Sequence, residues 1–117
     1  MDFKRLTRAF RFASRGVMTA VKEEQNIKIF AFFVIINIVL GFILKIDRVE
    51  WAIITLTTFA CLALEILNVA LEDLLDLISP EFNGKIKVIK DLAAGSVLVS
   101  SVGAFVIALI IYLPHIF

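Results

Sequence analysis

The sequence predicts an all-α membrane protein, an N-terminal amphipathic surface helix followed by three transmembrane helices. Three observations carry this reading. Of 117 residues, 61% are hydrophobic, and the mean hydropathy is +0.98. A chain this short cannot hide so much apolar surface in its own core, so the bilayer is the expected solvent. Long uncharged stretches recur, as in "IFAFFVIINIVLGFIL" and "LAAGSVLVSSVGAFVIALIIYL". The net charge of +1 conceals segregation: seven basic residues precede residue 29, two lie in 45–50, three lie in 84–90 and none follows. The length accommodates one domain.

Residues 2–22 form the first expected element. At about 100° per residue, Phe3, Leu6, Phe10, Val17 and Val21 share one side of a helix, and Lys4, Arg5, Arg8, Arg11, Arg15 and Lys22 share the other. A basic amphipathic helix of this kind lies in the membrane interface. Phe12 breaks the pattern by projecting among the cations, where a ring has no lipid to enter but can stack on something flat. "EEQN" (Glu23 to Asn26) reads as a polar hinge. No small-residue cleavage site follows a first apolar core, so no cleavable signal peptide is expected.

The first span is expected over about 28–45, with Asn37 bonding a neighbouring helix. "KIDRVE" is a short turn, and Trp51 follows where interfacial aromatics are enriched. The second span, about 50–78, is roughly 40 Å long against a hydrocarbon core of ~30 Å, so its C-terminal part emerges with Asp73 and Asp76. Pro80 and Gly84 in "SPEFNG" stop it. The third span, about 87–113, carries a ladder of Ser96, Ser100, Ala104 and Ala108, which suits close helix packing. Cys61 has no partner cysteine and no metal-ligand spacing, and reads as a packed thiol. His115, beside Pro114, reads as a tail residue. The basic residues place the N-terminus and the 79–90 loop in the cytoplasm and the C-terminus outside.

"LEILNVALEDLLD" (Leu64 to Asp76) puts acids into an apolar helix. Glu65, Asn68, Glu72 and Asp76 share one face, and Asp73 points elsewhere. Charge at membrane depth is costly, so this stripe must face protein, cation or water. A polar seam between helices is one reading. Hard divalent cations offer another, since Mg²⁺ takes one or two carboxylates plus substrate phosphates. Acids for metal, Lys90 and the basic face for phosphate, and one deep acid as a base make a parts list for phosphoryl transfer. No G-x-x-x-x-G-K-[ST] loop accompanies them. A small proton-coupled transporter also needs a deep carboxylate and stays a competing class.

The chain resembles the prokaryotic integral-membrane diacylglycerol kinase and undecaprenol kinase family. Glu65 to Asp76 is similar to the family's E-x-x-N-[ST]-A-[IL]-E-x-x-x-D, with Val69 in place of Thr or Ser. Further matches are Ser79-Pro80-Glu81-Phe82, Lys90-Asp91-Leu92-Ala93-Ala94-Gly95, and Arg15-Gly16 followed by Glu24-x-Asn26. The resemblance implies a homotrimer of three-span subunits in the bacterial plasma membrane, with shared active sites, ATP and Mg²⁺, and no nucleic-acid partner. It implies Glu65 as the general base that takes the lipid hydroxyl proton and Asn68 as the residue that orients the constellation. It implies Glu24 and Glu72 as metal carboxylates, and Arg5, Asp76, Glu81, Lys90 and Asp91 around the nucleotide. Phe12 stands where many relatives carry Tyr near the nucleotide, so the ring can stack but the hydroxyl is missing. "KDLAAGSV" looks more like the undecaprenol branch than the diacylglycerol branch, so undecaprenol is the favoured acceptor and diacylglycerol the alternative.

Overall fold

Helix α1 (Phe3–Glu23) begins at Asp2, in a computed structural model that describes residues 2–78 and 84–117. Asp2 Oδ1 accepts the backbone N–H groups of Lys4 at 3.0 Å and Arg5 at 3.2 Å. These are donors that the first turn of any helix leaves unpaired. Of α1's side chains only Ala20 is buried, so the helix touches the rest of the chain near its C-terminal end. It stops at Glu24, whose extended backbone (φ −101°, ψ 119°) is also the N-terminal boundary of α2 (Gln25–Ile43). The polar hinge expected over Glu23 to Asn26 is therefore one extended residue. Ala20 and Ile27, buried on either side of it, fix the angle between the two helices.

At the other end of α2, Lys45 takes a positive φ of 54°, and the Ile46 N–H reaches the Gly41 carbonyl at 3.2 Å. This is the six-to-one bond of a Schellman stop, with Ile46 turned into the core. Helix α3 (Arg48–Ile78) starts at once. Asp47 Oδ1 accepts the Glu50 N–H at 2.8 Å, and a Glu50 carboxylate oxygen accepts the Asp47 N–H at 3.0 Å, a reciprocal capping box. Thus "KIDRVE" turns the chain tightly because it supplies both a stop and a start.

Helix α4 (Gly84–Ile116) runs antiparallel to α3 and makes the most extensive helix pairing in the molecule. The expected helix stop at Pro80 lies outside the described residues. The sequence reading ends this helix at about residue 113, but α4 continues through Pro114. In the last turn the missing N–H removes one bond, and the Phe117 N–H still reaches Leu113 O at 2.9 Å. Ser100, Ala104 and Ala108 are half-buried, whereas Ser96, at the far end of the ladder, is exposed. The Cys61 thiol donates to Ser100 O at 3.5 Å, which fits a packed thiol.

The core sits at the α2–α3 turn: Ile46, Ile54, Ile111 and Tyr112, with Leu40, Leu44, Trp51 and Ile107 against them. Trp51 lies over Gly41, where any Cβ would run into its indole, and tilts 54° against Phe42. Tyr112 Oη lies 3.0 Å from both Asn37 O and Asn37 Oδ1, tying α4 to α2 as Asn37's place in an apolar helix predicts. Helices α2, α3 and α4 are each long and apolar enough to cross a membrane. Their outer faces expose Phe32, Phe42, Leu56, Phe59, Val99 and Phe105, surface that lipid or another protein must cover.

Candidate active site

At the end of the bundle opposite the core, α3 carries its acids in a gradient of exposure. Glu65 is 6% exposed and Asn68 8%, Glu72 is half-buried, and Asp73 and Asp76 are exposed. A rise of 1.5 Å per residue puts Glu65 about 16 Å deeper along the axis than Asp76. The helix thus carries one stripe from apolar interior to open surface, with Asp73 turned off it.

Other elements complete the cluster. Three side chains act on the Glu65 carboxyl: Glu24 and Glu72 as like charges, and Asn26 through a hydrogen-bonding contact. Glu24 reaches this position because the helix breaks there. Its side chain makes no cap hydrogen bond to α2, so the carboxylate remains available to the cluster. From α4, Lys90 Nζ pairs with Asp76 Oδ1 at 2.6 Å, joining the two antiparallel helices at the outer edge of the stripe. Asp91 pairs with Lys87 at 2.7 Å along α4.

Asn68 sits between the deep and shallow acids. Its Nδ2 lies 3.5 Å from Glu72 Oε1, and its Oδ1 is buried without a hydrogen-bond partner. An orphaned buried oxygen costs about 1–3 kcal/mol, so a site that keeps one has a use for it. Among the described residues no three acidic, histidine or cysteine side chains converge tightly enough to hold a metal ion by themselves. The donors present are nonetheless all hard oxygens. Two carboxylates and an amide oxygen suit Mg²⁺, which completes its shell with water and substrate phosphates.

Two sequence-predicted residues are not brought to this cluster within one chain. Arg5 lies fifteen positions before Ala20 on α1 and Phe12 eight, about 22 and 12 Å along the helix. Both are exposed. Glu81 lies outside the described residues. Asn26, which the sequence marks only as part of the Glu24-x-Asn26 match, is the functional residue that sequence reasoning misses, since its side chain hydrogen-bonds Glu65. His115, expected as a tail residue, instead approaches Glu50 at 3.1 and 3.2 Å at the far end of the bundle. No local pattern links residues 65 positions apart.

The chain is similar to several known proteins. A family model described as prokaryotic diacylglycerol kinase matches residues 11–112. The chain is 34% identical to the undecaprenol kinase of Bacillus subtilis over 97% of its own length and 92% of that protein's. It is 32% identical to a diacylglycerol kinase of Synechocystis, covering 91% of this chain and 61% of that protein. Against a Helicobacter pylori diacylglycerol kinase the identity is 30%, over 83% of this chain and 76% of the relative.

Proposed function

This chain belongs to the prokaryotic diacylglycerol kinase family, and from that premise we propose that it transfers the γ-phosphoryl group of ATP to undecaprenol at the Glu65 cluster. It is a lipid kinase and a membrane protein, and the transporter reading of its deep carboxylate gives way to that. The observation that carries the site is the buried pair of Glu65 and Asn68, with an amide oxygen left unpartnered inside a membrane-length helix.

In this reading the acceptor hydroxyl stays at lipid depth and meets Glu65. The hydroxyl oxygen forms a bond to the γ-phosphorus as the β–γ bridging bond breaks. Its proton passes to the Glu65 carboxylate, and ADP leaves. Asn68 holds the hydroxyl or the phosphate in line with Glu65. Glu24 and Glu72 would hold Mg²⁺, which when bound neutralises charge on the phosphates. Lys90 and Asp76 would release their mutual pair to engage the nucleotide, and Asp91 and Glu81 would serve as further nucleotide-binding residues. Arg5 and Phe12 stand away from the cluster of their own chain. Shared sites in a homotrimer would reconcile this, with one subunit's Arg5 and Phe12 reaching a neighbour's cluster. The positive-inside rule supports a plasma-membrane orientation with this end cytoplasmic.

The test is phosphoryl transfer from radiolabelled ATP by the purified chain, with undecaprenol and diacylglycerol offered separately. Undecaprenyl phosphate is the expected main product, and exclusive formation of phosphatidic acid would reassign the acceptor. Glu65→Gln should keep nucleotide binding and lose turnover by roughly 100-fold or more, the scale of a general base. Full activity in that variant would remove Glu65 from the base role.

A further inference from the structure

Glu65 is 6% exposed, and its carboxyl lies near two like charges, Glu24 and Glu72. One neutral side chain, Asn26, hydrogen-bonds it. An ionised carboxylate only accepts, so the amide N–H of Asn26 is the donor. The other amide of the cluster faces a different acid, since Asn68 Nδ2 lies 3.5 Å from Glu72 Oε1. Asn26 is the second residue of α2, next to the helix start at Gln25. Ile27, 4% exposed, anchors the turn beside it, and Glu24 belongs to the same bend. One short segment thus delivers both a carboxylate assigned to the metal and a neutral donor to the base. Asn26 is itself exposed, so the packing of the bundle does not require an amide there.

We propose, on the kinase reading, that Asn26 is a positioning residue for phosphoryl transfer: its amide N–H holds one oxygen of the Glu65 carboxylate and leaves the other free for the lipid hydroxyl. The terminal torsion of a glutamate is broad, so Glu65 cannot fix the plane of its own carboxylate. Repulsion by Glu24 and Glu72 acts on the charge as a whole and does not select an oxygen. A hydrogen bond does, because it is directional. The oxygen held by Asn26 is occupied, and the hydroxyl proton passes to the other one. Proton abstraction needs that oxygen within about 2.6–3.2 Å of the hydroxyl. A misplacement of about 1 Å can cost roughly 100-fold in rate. Asn26 acts through Glu65 and takes no proton itself.

The experiment is steady-state phosphoryl transfer from radiolabelled ATP by the full chain, at saturating Mg²⁺, to the lipid that the unaltered chain phosphorylates best. Asn26→Ala should lower kcat by about ten-fold or more and leave KM for ATP and for the lipid within about two-fold, the pattern of an interaction that matters in the transition state. Asn26→Asp keeps the size but offers only acceptors and one more like charge, so its kcat should fall at least as far. In the Glu65→Gln background, Asn26→Ala should change the residual rate by less than about two-fold, because the residue through which it acts is gone. Substitution of an exposed residue at a helix start should leave all three variants folded. Unchanged kcat in Asn26→Ala, a loss confined to KM, an Asn26→Asp enzyme as active as the unaltered chain, or an equal loss in the Glu65→Gln background would each overturn the proposal. Turnover by the unaltered chain in the same assay separates failure of this role from failure of the kinase reading.

Discussion

Asn68 concentrates the tension between stability and activity in a single side chain. Its Oδ1 is buried with no partner, and its Nδ2 makes one long contact to Glu72. A leucine there removes the orphaned oxygen at similar volume, and loses little because the contact it gives up is weak. Asn68→Leu should leave the thermal midpoint in detergent unchanged or higher, by up to the equivalent of about 1–2 kcal/mol, and reduce turnover by roughly 100-fold. Unfolding and phosphoryl transfer measured on the same preparation check this. A midpoint that drops sharply would mean the oxygen has a structural partner, and retained turnover would remove Asn68 from the site. Glu24 shows the same logic in its backbone, since an extended residue between two helices leaves its carboxylate free of capping duty.

Among the elements, the α2–α3 turn is the most tightly specified. The stop at Lys45, the capping box of Asp47 and Glu50, and the closeness of Gly41 to Trp51 act together to set the register of α3. Only a residue without a Cβ lets the indole lie so near the α2 backbone. Gly41→Ala forces the ring aside and should cost about 1–3 kcal/mol, the usual cost of overpacking. Pairing it with Trp51→Leu tests the cause: the double variant should be less destabilised than the sum of the two single ones, because the clash is then absent. Strict additivity would indicate that the glycine serves α2 in some other way.

On the scale of the whole molecule, the bundle is fastened at both ends by different chemistry. Tyr112 to Asn37 and His115 to Glu50 close the end near the turn, and Lys90 to Asp76 closes the acidic end. Tyr112 and Lys90 stand 22 positions apart on one helix, about 33 Å. Loosening the first end should therefore not reach the second. Tyr112→Phe/His115→Ala should lower stability by about 1–3 kcal/mol and leave the activity of the folded enzyme within about two-fold. A large loss of activity at full folding would show that the two ends are coupled.

What the sequence determined by itself was whatever depends on local periodicity and composition. Apolar runs of membrane length gave the spans, a period near 3.6 gave the amphipathic α1, and the spacing of Glu65, Asn68, Glu72 and Asp76 gave one stripe, because a helix converts spacing into direction whatever its neighbours are. Asn37 announced a partner simply by being polar in an apolar helix. What the tertiary structure decided was which separate segments meet. It chose Tyr112 for Asn37, set Glu24 and Asn26 against Glu65, made Lys90 the partner of Asp76, and gave His115 a carboxylate 65 positions away. It also left the oxygen of Asn68 unpaired. Those pairings follow from how the helices cross, which is fixed by packing at Gly41, Trp51 and Ala20 and not by any one helix's own pattern.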